Sequence, residues 1–241
     1  MMKLADKGKN PLNAINCLFK GFTFLPRKEL RKYLLMPLLI NIVLYSAVLV
    51  LGYYYLSDLI DHFIPGWLSW LEWLLWPLFF VSFLITGFFT FTVLANLIAA
   101  PFYNRLSAKT VELLSGQASD AVEPPLMKVM SAELKRAGYM VSRMIPLLIL
   151  FIIPVVNVIA PIVWALFGAW SMALEFMAYP LENRGLLFAE QKQMLKDVGV
   201  AGLSFGGLTV MGLSVPLFNL IVSPAAVIGA TVYVHEYLDQ E

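Results

Sequence analysis

Four stretches of this chain contain no Asp, Glu, Lys or Arg: residues 33–57, 73–104, 144–174 and 198–234. In hydrocarbon each backbone N–H and C=O must be paired within the structure, so uncharged apolar runs of this length fold as helices there. With 60% hydrophobic and 14% charged residues in 241, the chain has too much apolar surface for a soluble domain of its length. The expectation is an all-α integral membrane protein forming a single membrane domain over residues 1–241.

The runs differ in what they can do. Residues 33–57 reach ~38 Å as a helix, enough to cross a ~30 Å hydrocarbon layer with some tilt. The second segment, 67–116, is also long enough and continues beyond the membrane. The third and fourth runs would reach ~46 and ~56 Å unbroken, past any reasonable tilt. Each carries a proline pair around an asparagine, Pro154-Val-Val-Asn157-Val-Ile-Ala-Pro161 and Pro216-Leu-Phe-Asn219-Leu-Ile-Val-Ser-Pro224. Proline removes a backbone donor and clashes with the preceding turn, so each run reads as two arms meeting at a break. Arms such as 144–156 and 158–174 are short, which predicts re-entrant hairpins within 126–174 and 198–234. Interrupted helices in corresponding positions of a membrane chain point to a transport site.

Basic residues give an independent check on parity. Residues 1–33 hold eight Lys/Arg, 105–143 hold six and 175–197 hold three, whereas 58–72 hold none and three acids. By the positive-inside rule the N-terminal segment 1–33 and both later loops are cytoplasmic, and the acidic loop is outside. Tyr53, Tyr54, Tyr55, Trp67, Trp70, Trp73 and Trp76 form the interfacial belt expected around that loop. No basic residues interleave with them, so nucleic-acid binding is not indicated. The second span should extend into the cytoplasm and end at Ser115-Gly116. The segment 126–143 should be amphipathic, with Lys128, Glu133, Lys135, Arg136 and Arg143 on its wet face.

Several function classes lack their residues. There is no phosphate-binding Gly-x-x-x-x-Gly-Lys-Ser/Thr loop, no nucleophile elbow and no His-Glu-x-x-His helix, so an enzyme is not expected. One cysteine, Cys17, and two distant histidines, His62 and His235, offer no ligand set for a metal, and no cofactor is expected. Cys17 reads as structural filler.

Two groups of residues remain as candidates. Arg27, Lys28, Glu29, Leu30, Arg31 and Lys32 stand where the first long helix begins. A helix N-terminus offers unpaired N–H groups and partial positive charge, and guanidinium adds bidentate geometry suited to a tetrahedral oxyanion. The same cations would serve as a cytoplasmic anchor, and Glu29 opposes an anion. Asn41, Asn96, Asn157 and Asn219 are uncharged polar groups at membrane depth that cap and cross-link helices or, as a set, line a polar route. No carboxylate lies within the four runs, which favours a channel-like pathway over a proton-driven pump.

The order of Arg31-Lys-Tyr-Leu-Leu-Met-Pro-Leu-Leu-Ile-Asn41, Leu74-Leu-Trp-Pro77, Asn96-Leu-Ile-Ala-Ala-Pro-Phe-Tyr-Asn104, Ala178-Tyr-Pro-Leu-Glu-Asn183 and the two Pro/Asn motifs resembles the CysZ family of bacterial sulfate transporters. The resemblance covers nearly the whole chain. It implies uptake of sulfate, or of sulfite, across the inner membrane for cysteine biosynthesis, without an ATPase subunit. It also implies two long membrane helices, two short-helix hairpins and a homo-oligomer in the lipid bilayer. The family's anion site resembles a Pro-Gly-Leu-Arg-Arg motif at the start of the first long helix, which falls here on Leu30, Arg31 and Lys32. Lys28-Glu29 stand in place of Pro-Gly, and lysine is a poorer bidentate ligand than arginine. The rival readings are a membrane scaffold or assembly partner without transport activity and, last, a lipid-processing enzyme.

Overall fold

The computed structural model describes residues 6–63, 72–117, 126–215 and 218–238. Trp67, Trp70, Pro124, Pro125 and Pro216 lie outside them, as do the side chains of Asn41 and Asn96. Among the described residues all regular structure is helical. A 3-10 turn at Asp6–Lys9 precedes α1 (Pro11–Phe24), α2 (Lys28–Phe63), α3 (Glu72–Ser115), α4 (Leu126–Leu150), α5 (Ala160–Glu182), α6 (Phe188–Val198), α7 (Val200–Leu213) and α8 (Asn219–Leu238). A second 3-10 turn, Val156–Val158, lies between α4 and α5. The chain divides into two compact units, 32–102 and the remainder formed by 1–31 with 103–241.

The unit 32–102 holds most of α2 and α3. Within α2 the 25 residues Lys28–Gly52 are long and apolar enough to cross a membrane, and only 6% of their most apolar 18 residues is buried. Leu35, Leu39, Val43, Val50 and Leu51 all point outward. A helix that is apolar all round is stable where the surroundings are apolar too. Pro37, Pro77 and Pro101 sit inside these helices without ending them.

The other unit is built on two helix pairs, α1 on α8 and α5 on α7, with α1 also against α7 and α5 against α8. Small residues permit the close approach. A Cβ on Gly21 would overlap Ala225 O and lie 2.9 Å from Gly229 N, and one on Gly206 would overlap Ala169 O and lie 2.8 Å from Ala173 N. The spacings Ala225-x-x-x-Gly229 and Ala169-x-x-x-Ala173 therefore set backbone against backbone, the packing mode used when no water drives helices together. Phe205, Tyr233, Leu174 and Ile228 are among the largest fully buried side chains of this unit. Where α6 meets α7 the chain turns by 103° at Gly199, whose φ of 60° suits glycine.

Helices stop at both Pro/Asn motifs, as their proline content predicts, but the arms are not those expected. The first arm is the end of a helix unbroken from Leu126, and the second continues to Glu182. α5, at 23 residues, and α8, at 20, are long enough to cross by length and composition. α7 reaches only ~21 Å and α4 beyond Arg143 only ~10 Å. α3 ends where its sequence suggests: it stops at Ser115, and Gly116, at φ 71°, donates its N–H to Glu112 O at 2.9 Å.

Candidate anion site at the corner of α1 and α2

α1 begins with Asn10, whose side chain accepts from Leu12 N–H at 2.9 Å, and Pro11 stands in its first turn. It ends at Phe24 because Pro26 cannot continue a helix. The turn is tight: Arg27 N–H donates to Phe24 O at 3.0 Å and Leu30 N–H to Arg27 O at 3.1 Å. Leu30 is fully buried and pins the first turn of α2, while Arg27, Lys28, Glu29, Arg31 and Lys32 are exposed. The cluster thus starts a long helix, as its sequence suggests.

Its cations do not simply radiate into solvent. Arg31 Nε donates to Pro26 O at 3.1 Å, closing the turn, and the Arg27 guanidinium lies 3.9 Å from the centre of the Phe24 ring. Both arginines therefore lean back onto the end of α1. Lys32, the first residue of the other unit, places Nζ 4.9 Å from the Tyr33 ring centre. Arg31 Nε is thus committed to the turn, as is Leu30 N–H, whereas Lys28 and Glu29 supply the first N–H groups of α2, which a helix does not pair internally. Glu29 stands in that first turn and competes for the same positive end.

The asparagines are distributed differently. Asn41 falls within α2 and Asn96 within α3. Asn157 sits in the middle of the 3-10 turn and Asn219 is the first residue of α8, both exposed. At the two breaks the backbone is paired by backbone: Asn157 N–H donates to Ile153 O at 3.0 Å and Asn219 N–H to Val215 O at 3.1 Å. Among the described residues, backbone groups close both turns. Val155, at φ 69°, carries the local strain of the first break.

One polar centre departs from the sequence expectation. Arg136 does not lie on the wet face of α4: its side chain is 15% exposed and pairs with Glu133 at 2.7 Å and Glu182 at 3.2 Å. It also donates to Gln191, which is 1% exposed and itself donates to Leu186 O at 2.9 Å. The network joins α4, α5 and α6. The three-residue spacing of Glu133 and Arg136 is visible in sequence, whereas Glu182 and Gln191 come from elements whose approach no local pattern reveals. Burial holds the Glu133 carboxyl above its usual range, with Arg136 opposing and the Glu182 charge adding to the rise. Among the described residues no His, Cys, Asp and Glu group is arranged to hold a metal.

Comparison with known proteins agrees with the order of motifs. The profile of the family described as Sulfate transporter CysZ/Etoposide-induced protein 2.4 matches residues 17–224. Among similar proteins, the sulfate transporter CysZ of Pseudomonas syringae pv. tomato is 40% identical over 225 residues, covering 90% of this chain and 89% of its own. That of Pseudomonas fluorescens strain Pf0-1 is 37% identical over 226 residues, 90% of each chain. The sulfate transporter CysZ of Pectobacterium atrosepticum is 33% identical over 228 residues, 91% of this chain and 83% of its own. A profile match spanning the corner, both Pro/Asn motifs and the helices between them places the chain in the Sulfate transporter CysZ/Etoposide-induced protein 2.4 family.

Proposed function

We propose that this protein carries sulfate across the bacterial inner membrane, channel-like or weakly coupled, as a homo-oligomer that needs no ATPase and supplies sulfate for cysteine biosynthesis. The observation that carries this reading is the likeness, along nine-tenths of the chain, to proteins named sulfate transporters. The anion enters at the α1–α2 corner, where the Arg31 Nη groups, the first N–H groups of α2 at Lys28 and Glu29, and the charges of Arg27 and Lys28 act together, and Lys32 is the next cation along the sequence. Leu30 fixes the backbone, and Glu29 weakens the site. α2 and α3 span the bilayer, and α4–α5 and α7–α8 enter and return as hairpins. The short first arms support that arrangement, since ~10 and ~21 Å limit how deep each break can go. Asn157 and Asn219, exposed at the two breaks, offer polar groups to the route there.

The test is uptake of labelled sulfate into liposomes holding only this protein. Uptake that saturates, and that sulfite or unlabelled sulfate suppresses, is the expected result. Liposomes with correctly assembled protein and no uptake would leave a membrane scaffold as the reading.

A further inference from the structure

The break between α7 and α8 and the basic corner are far apart in sequence but meet at the end of α1. Phe218, the last residue before α8, stacks on Phe22 with ring centres 5.8 Å apart and planes within 6°. One residue back, Gly21 lies against the backbone of Ala225 and Gly229, so close that no Cβ fits between them. Cys17 and Leu18 face Gly229 in turn, so α1 runs against α8 in the opposite sense, its numbers rising as those of α8 fall. The last turn of α1 is thereby fixed at two points to the first turns of α8.

That last turn is also what the arginines rest on. Arg27 stacks on Phe24, two residues after Phe22, and Arg31 holds Pro26 O. Phe22 and Phe24 leave the helix on different sides, ~200° apart, so one faces the break while the other carries a guanidinium. A shift of α1 relative to the break would move both arginine supports together.

We infer that Phe218 is a positioning residue for the anion corner: its stack on Phe22 lets the α7–α8 break determine where the end of α1, and with it Arg27 and Arg31, is presented. This rests on the sulfate reading above. It gives the second Pro/Asn break a role in substrate affinity through its aromatic neighbour rather than through Asn219.

The experiment is concentration-dependent uptake of labelled sulfate by liposomes holding the full-length oligomer. Phe218→Ala, Phe218→Leu, Phe218→Tyr, Phe22→Ala and the double alanine variant are compared, and thermal melting of each is recorded. An aromatic stack lost at a support point should raise the KM for sulfate by about two- to tenfold in Phe218→Ala. The maximal rate and melting should change little by comparison. Phe218→Leu, which keeps apolar bulk, should show the same KM defect if the alanine variant fails to assemble. Phe218→Tyr should restore wild-type KM, and the double variant should be no worse than the more affected single one. Assembled Phe218→Ala or Phe218→Leu with an unmoved KM, or additive KM effects in the double variant, overturn the inference while wild-type uptake preserves the transport reading. Wild-type liposomes that take up no sulfate overturn both.

Discussion

At the scale of single residues the corner carries the sharpest consequences. Arg31 has two duties in the proposed site: its Nε closes the α1–α2 turn, and its Nη groups are proposed to bind the anion. Charge-assisted hydrogen bonds contribute ~1.5–3 kcal/mol each, so Arg31→Ala should weaken sulfate binding by roughly ten- to a hundredfold, measured by calorimetry on assembled protein. Arg31→Lys retains charge but loses the fork, and should fall between the two. Glu29→Gly should tighten binding, because it removes a repulsive carboxylate and permits closer backbone approach. Binding unchanged in Arg31→Ala would reduce the cluster to a membrane anchor. Glu133 offers a test of sign. Its raised carboxyl means the folded protein holds that proton more tightly than the unfolded chain. The group's stabilising share is therefore complete below its ordinary value of 4.5 and is lost as pH rises through the raised folded value. The melting temperature of Glu133→Gln, relative to wild type, should improve as pH rises above 4.5. A difference that stays constant or moves the other way would contradict this account of the network.

At the scale of elements the helix crossings make a clean contrast among glycines. Alanine at Gly21 or Gly206 must push two helix backbones apart, and overpacking of this kind costs ~1–3 kcal/mol. Gly138, inside α4, has nothing within 4 Å of a built Cβ, so Gly138→Ala should stabilise by ~0.5–1 kcal/mol through helix propensity. Thermal melting in one detergent compares all three, and a destabilised Gly138→Ala with a neutral Gly21→Ala would reject the packing account. These elements also mark what a sequence can and cannot reveal. Both breaks were legible because proline chemistry is local, and so was the end of α3, where Gly116 adopts the left-handed conformation that closes a helix. The start of α2 was legible from the charged cluster that precedes the first uncharged run. Arm lengths were not, because nothing local stops α4 from continuing through Arg143 into the apolar run. Nor were the supports of the candidate site, since the Phe22–Phe218 stack and the Arg136–Gln191 bond join residues far apart in the chain.

For the whole molecule the governing question is which segments share a side of the membrane. Lys/Arg are concentrated in 1–33, 105–143 and 175–197 and absent from 58–72, so the first three and the tail from His235 should be cytoplasmic and the last external. The Tyr233 hydroxyl donates to Gly8 O, and Lys20 pairs with Glu236, contacts that hold the N-terminal segment to the end of α8. Single cysteines test this on a Cys17→Ser background. Cys17 is a suitable residue to replace, because it is 1% exposed and burial, aided by the Glu236 charge, pushes its thiol up to about 12. The native thiol should therefore react slowly with maleimides near neutral pH. Gln193 is the better probe of the 175–197 loop, because Gln191 is buried in the Arg136 network whereas Gln193 is exposed. In oriented membranes Lys7→Cys, Lys135→Cys and Gln193→Cys should label from the cytoplasmic side with an impermeant maleimide, and Asp58→Cys from the opposite side. Labelling of Gln193→Cys together with Asp58→Cys from the outside would turn one hairpin into a full crossing. The ~10 Å apolar end of α4 makes that costly, because Arg143 would then be drawn into the hydrocarbon.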